Sequence, residues 1–413
     1  MHTRLSSRFR FHPFILLLLA AVLLPLAAAA EQPYVILVSI DGFRFDYTDR
    51  YKPKNIMAVR DSGAAAESMI PSFPTITFPN HISIITGMYP AHHGIVGNHF
   101  FDPVKNAEYD YHRDATDGSW YMHGTPLWVL AEQQHTIAAC MFWPTSDAEI
   151  QGVRPTYWIK YDGSITDEHR VKQVIDWLKL PAEKRPHFIT LYFSDVDSAG
   201  HKYGPGAMET AEAVGLVDRM IGKLREDLAK LNLPVNLILV SDHGMQDTAD
   251  GAVNLEREVD SSQVRVVLNG PVAFFYPKDG AAAEKTFERL RKDKHLDLYA
   301  RDETPAAWHF RGNRRIGDFM ALVKGRAVFT MSALNAQGGP YQPPRGEHGY
   351  DPRVYKSMHA IFYAVGPNVK PAAKIPSFEN VNVYPFIAKI LGLKTPDDLD
   401  GSFSVLAPVY VPN

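Results

Sequence analysis

The chain has 413 residues, 46% of them hydrophobic and 22% charged, an ordinary globular balance that suits one large α/β domain or two smaller ones. Its formal net charge of -3 gives no basic excess of the kind that marks a nucleic-acid-binding surface. A single cysteine, Cys140, excludes an intramolecular disulfide and a multi-cysteine zinc site.

The first predicted element is a leader. Arg4, Arg8 and Arg10 form a basic start, an apolar run extends from Phe14 to Leu26, and Ala28, Ala29 and Ala30 supply small residues at the cleavage spacing. This is the layout of a secretory signal peptide over residues 1–30. The run is short against the roughly 20 residues of a membrane span. The expectation is a mature chain, 31–413, that is periplasmic or secreted and carries no membrane span.

After the leader come short apolar runs that each end in a polar cluster. Tyr34 to Ile40 stops at Asp41-Gly42, Phe188 to Phe193 at Ser194-Asp195, Val235 to Val240 at Ser241-Asp242-His243-Gly244, and Ala360 to Val365 at Gly366-Pro367. Continuous apolar runs of this length read as buried parallel strands. Between the second and third, Val214, Val217, Ile221, Leu224 and Leu228 recur at helical spacing, as a β-α-β unit requires. Further helices are expected over 124–134, 168–179 and Val383 to Leu391. Residues 250–345 break the rhythm and read as an inserted cap subdomain. The fold class is therefore α/β: a mostly parallel central sheet with helices on both faces and a small insert. Ligands of such sheets bind beyond the carboxyl ends of the strands.

That rule gives meaning to the polar clusters. Asp41, Asp197 and the Asp242-His243 pair each lie just past a strand's carboxyl end. Asp197 and His201, four residues apart, can reach one ion. His348 lies between Gly346-Glu347 and Gly349 in a loop. Singly, each of these residues also reads as a turn, cap or surface residue. Together they offer three carboxylates and three imidazoles, and two tetrahedral zinc ions have eight positions to fill. A nucleophile and a substrate phosphate complete such a set, and two metals about 3.5–4 Å apart clamp an in-line displacement at phosphorus. Thr77, in Pro71 to His81, precedes Phe78-Pro79, and Pro79 suits the first turn of a helix. Thr77 would stand just before that helix, where free N–H groups favour an anion. It reads equally as a nucleophile or as a plain N-cap.

Five stretches then resemble the nucleotide pyrophosphatase/phosphodiesterase family of the alkaline phosphatase superfamily. They are VSIDGFR (38–44), PTITFPNHISIITGMYPAHHGIVGN (74–98), LYFSDVDSAGHKYGP (191–205), VSDHGM (240–245) and GEHGYD (346–351). They come in the family's order and span nearly all of the mature chain. With no extra cysteine-rich or nuclease-like domain in the sequence, the resemblance is to the single-domain bacterial type.

The resemblance implies two zinc ions per chain. One is held by Asp197, His201 and His348, the other by Asp41, Asp242, His243 and the nucleophile Thr77. It implies that Asn98, helped by the Phe78 N–H, binds a non-bridging phosphate oxygen, and that Phe78 and Tyr192 sandwich a base. The family's usual Glu-x-Pro-Asp is here Ser-Asp-Val-Asp, which makes Asp197 the metal ligand by position and Asp195 a weaker rival. The implied reaction is hydrolysis of nucleotide diesters or pyrophosphates to nucleoside 5'-monophosphates through a phospho-threonine. The substrate is a small molecule rather than a nucleic acid; the sequence does not set the oligomeric state. A phospholipid-headgroup (choline-type) diesterase of the same family stays open, and so does a phosphomonoesterase, although a neutral Asn98 suits a diester better. A sulfatase fails because Cys140 is followed by Met-Phe-Trp rather than the Cys-x-Pro-x-Arg context. A non-catalytic zinc-binding protein would need neither Thr77 nor Asn98.

Overall fold

The computed structural model describes residues 32–121, 123–278 and 280–412, together with residues 2 and 3. The predicted leader otherwise lies outside the described residues. Eight strands form the central sheet. In chain order they are β1 (Tyr34–Ile40), β2 (Ala64–Ala66), β3 (Ala138–Met141), β4 (Tyr157–Trp158), β5 (Phe188–Phe193), β6 (Val235–Val240), β11 (Phe362–Val365) and β12 (Ala373–Ile375). The numbers between belong to a second sheet: β7 (Val264–Asn269), β8 (Val272–Pro277), β9 (Leu296–Ala300) and β10 (Phe319–Val323). The central order is β12-β2-β11-β6-β1-β5-β3-β4.

β1 lies at the centre, parallel to β5 and β6. Its side chains alternate between two cores: Val35 and Leu37 pack on one face, and Tyr34, Ile36, Val38 and Ile40 on the other. Burial on both faces is why the run is apolar throughout rather than at every second residue. The first face is covered by helices α1 (Thr77–Thr86), α2 (Leu127–Gln133) and a C-terminal helix, Val383–Leu391, whose bounds match the sequence reading. The second face is covered by α3 (Asp167–Leu178) and α5 (Met208–Ala229), with α4 (Asp195–Tyr203) opening directly after β5.

One sequence expectation is corrected. The run ending at Val365 is antiparallel, not parallel: β11 runs against both β6 and β2. Residues 357–361 are hydrogen-bonded to the 241–245 segment at the carboxyl edge of the sheet, through Ser241 N–H to Ile361 O, Gly244 N–H to Met358 O and Met245 N–H to Ser357 O. The chain thus enters β11 from that edge and can only run away from it. Apolar periodicity reports burial and carries no direction.

The stretch without rhythm also has regular structure. β7, β8, β10 and β9 pair in that order as an antiparallel sheet. With the helix Gly280–Leu290 it shares a separate core that includes Phe275, Phe287 and Leu296. The β7–β8 turn, residues 269–272, reaches back to the carboxyl edge of the central sheet.

Candidate active site

Three consecutive parallel strands deliver the site. Asp41 continues β1, its N–H bonded to Phe193 O at 2.9 Å. Asp242 and His243 follow β6, and Asp197 and His201 stand one turn apart on α4 after β5. A close approach brings the β1 and β5 edges together. Gly42 has φ +67°, and a Cβ there would stand 2.8 Å from the Cα of Asp197. Only glycine lets Asp41 and Asp197 face one another.

Thr77 is the first residue of α1, with Ile76 rather than Thr77 in the capping position. Its hydroxyl is therefore free of capping and lies 3.1 Å from Nε2 of His243. Pro79 falls in the first turn, as expected. Thr75, fully buried, ties this segment to the His348 loop: it accepts from the N–H of Gly349 at 2.9 Å and donates to Tyr350 O at 2.9 Å.

The three histidines share one arrangement. Nδ1 of His201 lies 2.9 Å from Gly346 O, Nδ1 of His243 2.9 Å from Gly244 O, and Nδ1 of His348 3.0 Å from Thr75 O. A carbonyl only accepts, so each Nδ1 carries a proton, and in the neutral ring the lone pair is left on Nε2. This is how metal-ligating histidines are held. The carboxylates complete the pattern. Oδ1 of Asp41, Oδ1 of Asp197 and Oδ2 of Asp242 are buried without a hydrogen-bond partner, a costly state for an anion unless a cation supplies the missing contact. Asp41, Asp242 and His243 bring ligand atoms within 4.8 Å of one another, as do Asp197, His243 and His348. Asp197 Oδ1 also lies 3.4 Å from His201 Nε2 and 3.8 Å from His348 Nε2. The donor set fits metal cations.

The electrostatics agree with a site built for positive charge. Burial, with the neighbouring Asp242 and Asp197, pushes the Asp41 carboxyl well above the usual carboxylate range. Burial also opposes ionisation of Asp242, but His243 and His81 outweigh it and hold that carboxyl well below the range.

Two of the expected substrate-binding residues have partners within the chain. The Phe78 N–H donates to Oδ1 of Asn98 at 3.0 Å, so it orients Asn98 instead of standing free for a ligand. The Asn98 amide group, a donor, is left for the site. Tyr192 is 8% exposed and its hydroxyl donates to Asp41 Oδ2 at 2.6 Å. Its ring packs against His81 and Tyr161, while Phe78 packs against Tyr111. The rival Asp195 is turned to Asp167, whose carboxyl is pushed up to about 7 by burial and by that neighbour.

Sequence reading missed three residues here. His81 lies one turn after Thr77, with Nε2 2.8 Å from Ser39 Oγ and Nδ1 3.3 Å from Asp242 Oδ2. Glu347 brings a fourth carboxylate within reach of His201 and His348. Tyr161 is 50% exposed yet packs on the buried Tyr192. His81 and Glu347 stood inside the quoted stretches, and only their neighbours drew attention.

A family model for type I phosphodiesterase / nucleotide pyrophosphatase matches residues 35–351. The chain belongs to this family. It is 36% identical over 407 residues to mouse ectonucleotide pyrophosphatase/phosphodiesterase family member 1, covering 94% of this chain and 44% of that protein. It is 35% identical over 405 residues to a venom phosphodiesterase of Crotalus durissus collilineatus, covering 94% of this chain and 48% of that one. The chain thus spans less than half the length of these two relatives. An uncharacterised pyrophosphatase/phosphodiesterase of Schizosaccharomyces pombe is 33% identical over 380 residues, and the match covers 88% of this chain and 77% of that protein. Among solved structures, human ectonucleotide pyrophosphatase/phosphodiesterase 5 superposes with a TM-score of 0.85 at 28% identity, covering 92% of this chain and all of that one. The murine protein, solved as an inactive threonine-to-alanine variant in complex with AMP, gives the same values. Among the described residues, no helix is long and apolar enough to cross a membrane.

Proposed function

We propose that this family member is an exported two-zinc phosphodiesterase that hydrolyses nucleotide diesters or pyrophosphates to nucleoside 5'-monophosphates, with Thr77 as its nucleophile. The observation that carries the reading is the convergence of three buried, unpartnered carboxylate oxygens and three lone-pair-bearing imidazole nitrogens beside the Thr77 hydroxyl. Asp197, His201 and His348 would hold one zinc, and Asp41, Asp242, His243 and Thr77 the other. Bound zinc supplies a lowered hydroxyl pKa and neutralises phosphate charge.

The chain's own groups do the rest. Thr77 Oγ1 gives its proton to solvent and bonds to phosphorus as the bond to the leaving oxygen breaks, giving a phospho-threonine and a leaving alcohol that takes a proton from water, or a leaving phosphate that needs none. Water then attacks phosphorus, the bond to Oγ1 breaks, and the hydroxyl is restored as the monoester departs. The Asn98 amide donates to a non-bridging oxygen throughout. A neutral donor suits a diester, which carries one charge fewer than a terminal phosphate. The AMP complex of the murine relative supports a nucleotide product, and Phe78, Tyr111 and Tyr161 offer aromatic surface for a base. Stacking of that kind tolerates any base. Export rests on the leader pattern of residues 1–30.

Hydrolysis of a chromogenic nucleotide diester and its matched phosphate monoester by the zinc-loaded mature protein tests this reading. A strong preference for the diester is expected. A preference for the monoester would overturn the substrate class and the role given to Asn98.

A further inference from the structure

The Asn98 segment is not held by the central sheet alone. Asn269, the last residue of β7, is 7% exposed. Its Oδ1 accepts from the His99 N–H at 3.0 Å and its Nδ2 donates to His99 O at 2.8 Å. One side chain thereby occupies both backbone groups of the residue next to Asn98. The fit is close: a Cβ on Gly97 would stand 2.8 Å from Asn269 Oδ1. The same turn touches the metal-ligand loop, because a Cβ on Gly270 (φ +60°) would stand 3.0 Å from Cδ of Glu347 and 3.3 Å from His348 O. Nothing in the reaction requires a residue of the antiparallel sheet, yet its hairpin tip is wedged between the phosphate-binding side and the His348 side.

We infer that Asn269 is a positioning residue, through which the inserted antiparallel sheet fixes Asn98 for the phosphate oxygen. This rests on the reading of Asn98 above. Asn98 itself has two further anchors, the Phe78 N–H on its Oδ1 at 3.0 Å and the Tyr111 N–H on its backbone O at 3.2 Å. With residues 97–99 pinned on both sides, its donor is set before substrate arrives, and preorganised donors give most when they need not be reoriented during reaction.

A double-mutant cycle on the zinc-loaded chain tests this, with zinc content and thermal unfolding followed in every variant. Asn98→Ala should lose about 100-fold in kcat/KM on the diester, the usual loss for one such donor. Asn269→Ala should lose roughly 10-fold, mostly in kcat, with zinc content unchanged, and Asn269→Asp, which keeps the acceptor for the His99 N–H, should recover part of it. The double variant should be no slower than Asn98→Ala alone, because a positioning residue has nothing left to position. Losses that multiply would overturn the inference, as would an active Asn269→Ala beside an impaired Asn98→Ala. An unimpaired Asn98→Ala would instead remove the reading on which it rests. If Asn269→Ala does not fold, the cycle is run with Asn269→Asp, and Gly97→Ala should reproduce the kinetic loss by displacing the same contact.

Discussion

The hydroxyl of Tyr192 donates a 2.6 Å hydrogen bond to Oδ2 of Asp41, and both residues are buried. This leaves Oδ1 of Asp41 alone without a partner, which aims one oxygen of the carboxylate at the metal position and occupies the other. On the proposed metal reading, the Tyr192 hydroxyl would orient Asp41 as a ligand, a role separate from the stacking expected of its ring. Tyr192→Phe keeps the ring and removes the hydroxyl. It should weaken zinc retention about 10- to 100-fold, the usual effect of losing a group that orients a ligand. Competition against a chromogenic chelator measures it. Unchanged retention with a raised KM would return Tyr192 to a substrate-stacking role.

Removing metal should destabilise the protein, because the cation that offsets Asp41, Asp197 and Asp242 is lost. Asp41 carries a folded-state pKa above its unfolded value. Such a group is stabilising only when protonated, and that contribution disappears as pH rises through the folded pKa. At neutral pH, Asp41→Asn should thus raise the melting temperature of the metal-free protein above that of metal-free wild type, while lowering zinc stoichiometry. Scanning calorimetry with and without chelator checks both signs, and a chelator-insensitive wild type would contradict them.

His93 gives a pH dependence away from the metal ligands. It is fully buried, its Nδ1 accepts from the Ile95 N–H at 3.2 Å, and its Nε2 lies 3.1 Å from Ser83 Oγ. Burial pushes its pKa down to about 3. The unfolded chain takes up this proton near pH 6.5 and the folded chain does not. Stability is intact above pH 6.5 and falls as pH drops toward 3, by on the order of 4 kcal/mol over that window. His93→Gln should flatten the acid limb of the stability curve relative to wild type, both measured on metal-free protein so that acid-driven metal release does not contribute and the titration of the site residues is common to both. Parallel curves for the two proteins would refute the assignment.

Legibility from sequence followed burial. β1, β5 and β6 are buried on both faces, so their apolar runs mark them from end to end, and the acidic residues after them fell where parallel strands present ligands. β11 is as apolar, but its direction is set by hydrogen bonds of 357–361 to 241–245, which no local pattern encodes. The β7–β10 sheet was illegible because β7 is only partly buried along most of its length and its pairing is antiparallel. Within the site, Asp and His ligands announce themselves by residue type. Residues that support them do not: Thr75 and Asn269 read as ordinary turn residues until the partner across the site is known, and nothing in the sequence signals that the Tyr192 hydroxyl bonds to Asp41.

The central claim is that Thr77 bonds to phosphorus, and the stereochemistry at phosphorus reports it. A nucleotide diester made chiral at phosphorus with sulfur is hydrolysed in oxygen-18 water, and the configuration of the product monoester is determined. Two in-line displacements through a phospho-threonine give overall retention, with Thr77→Ala inactive at unchanged zinc content. Inversion would mean a single attack by water and would contradict the role assigned to Thr77.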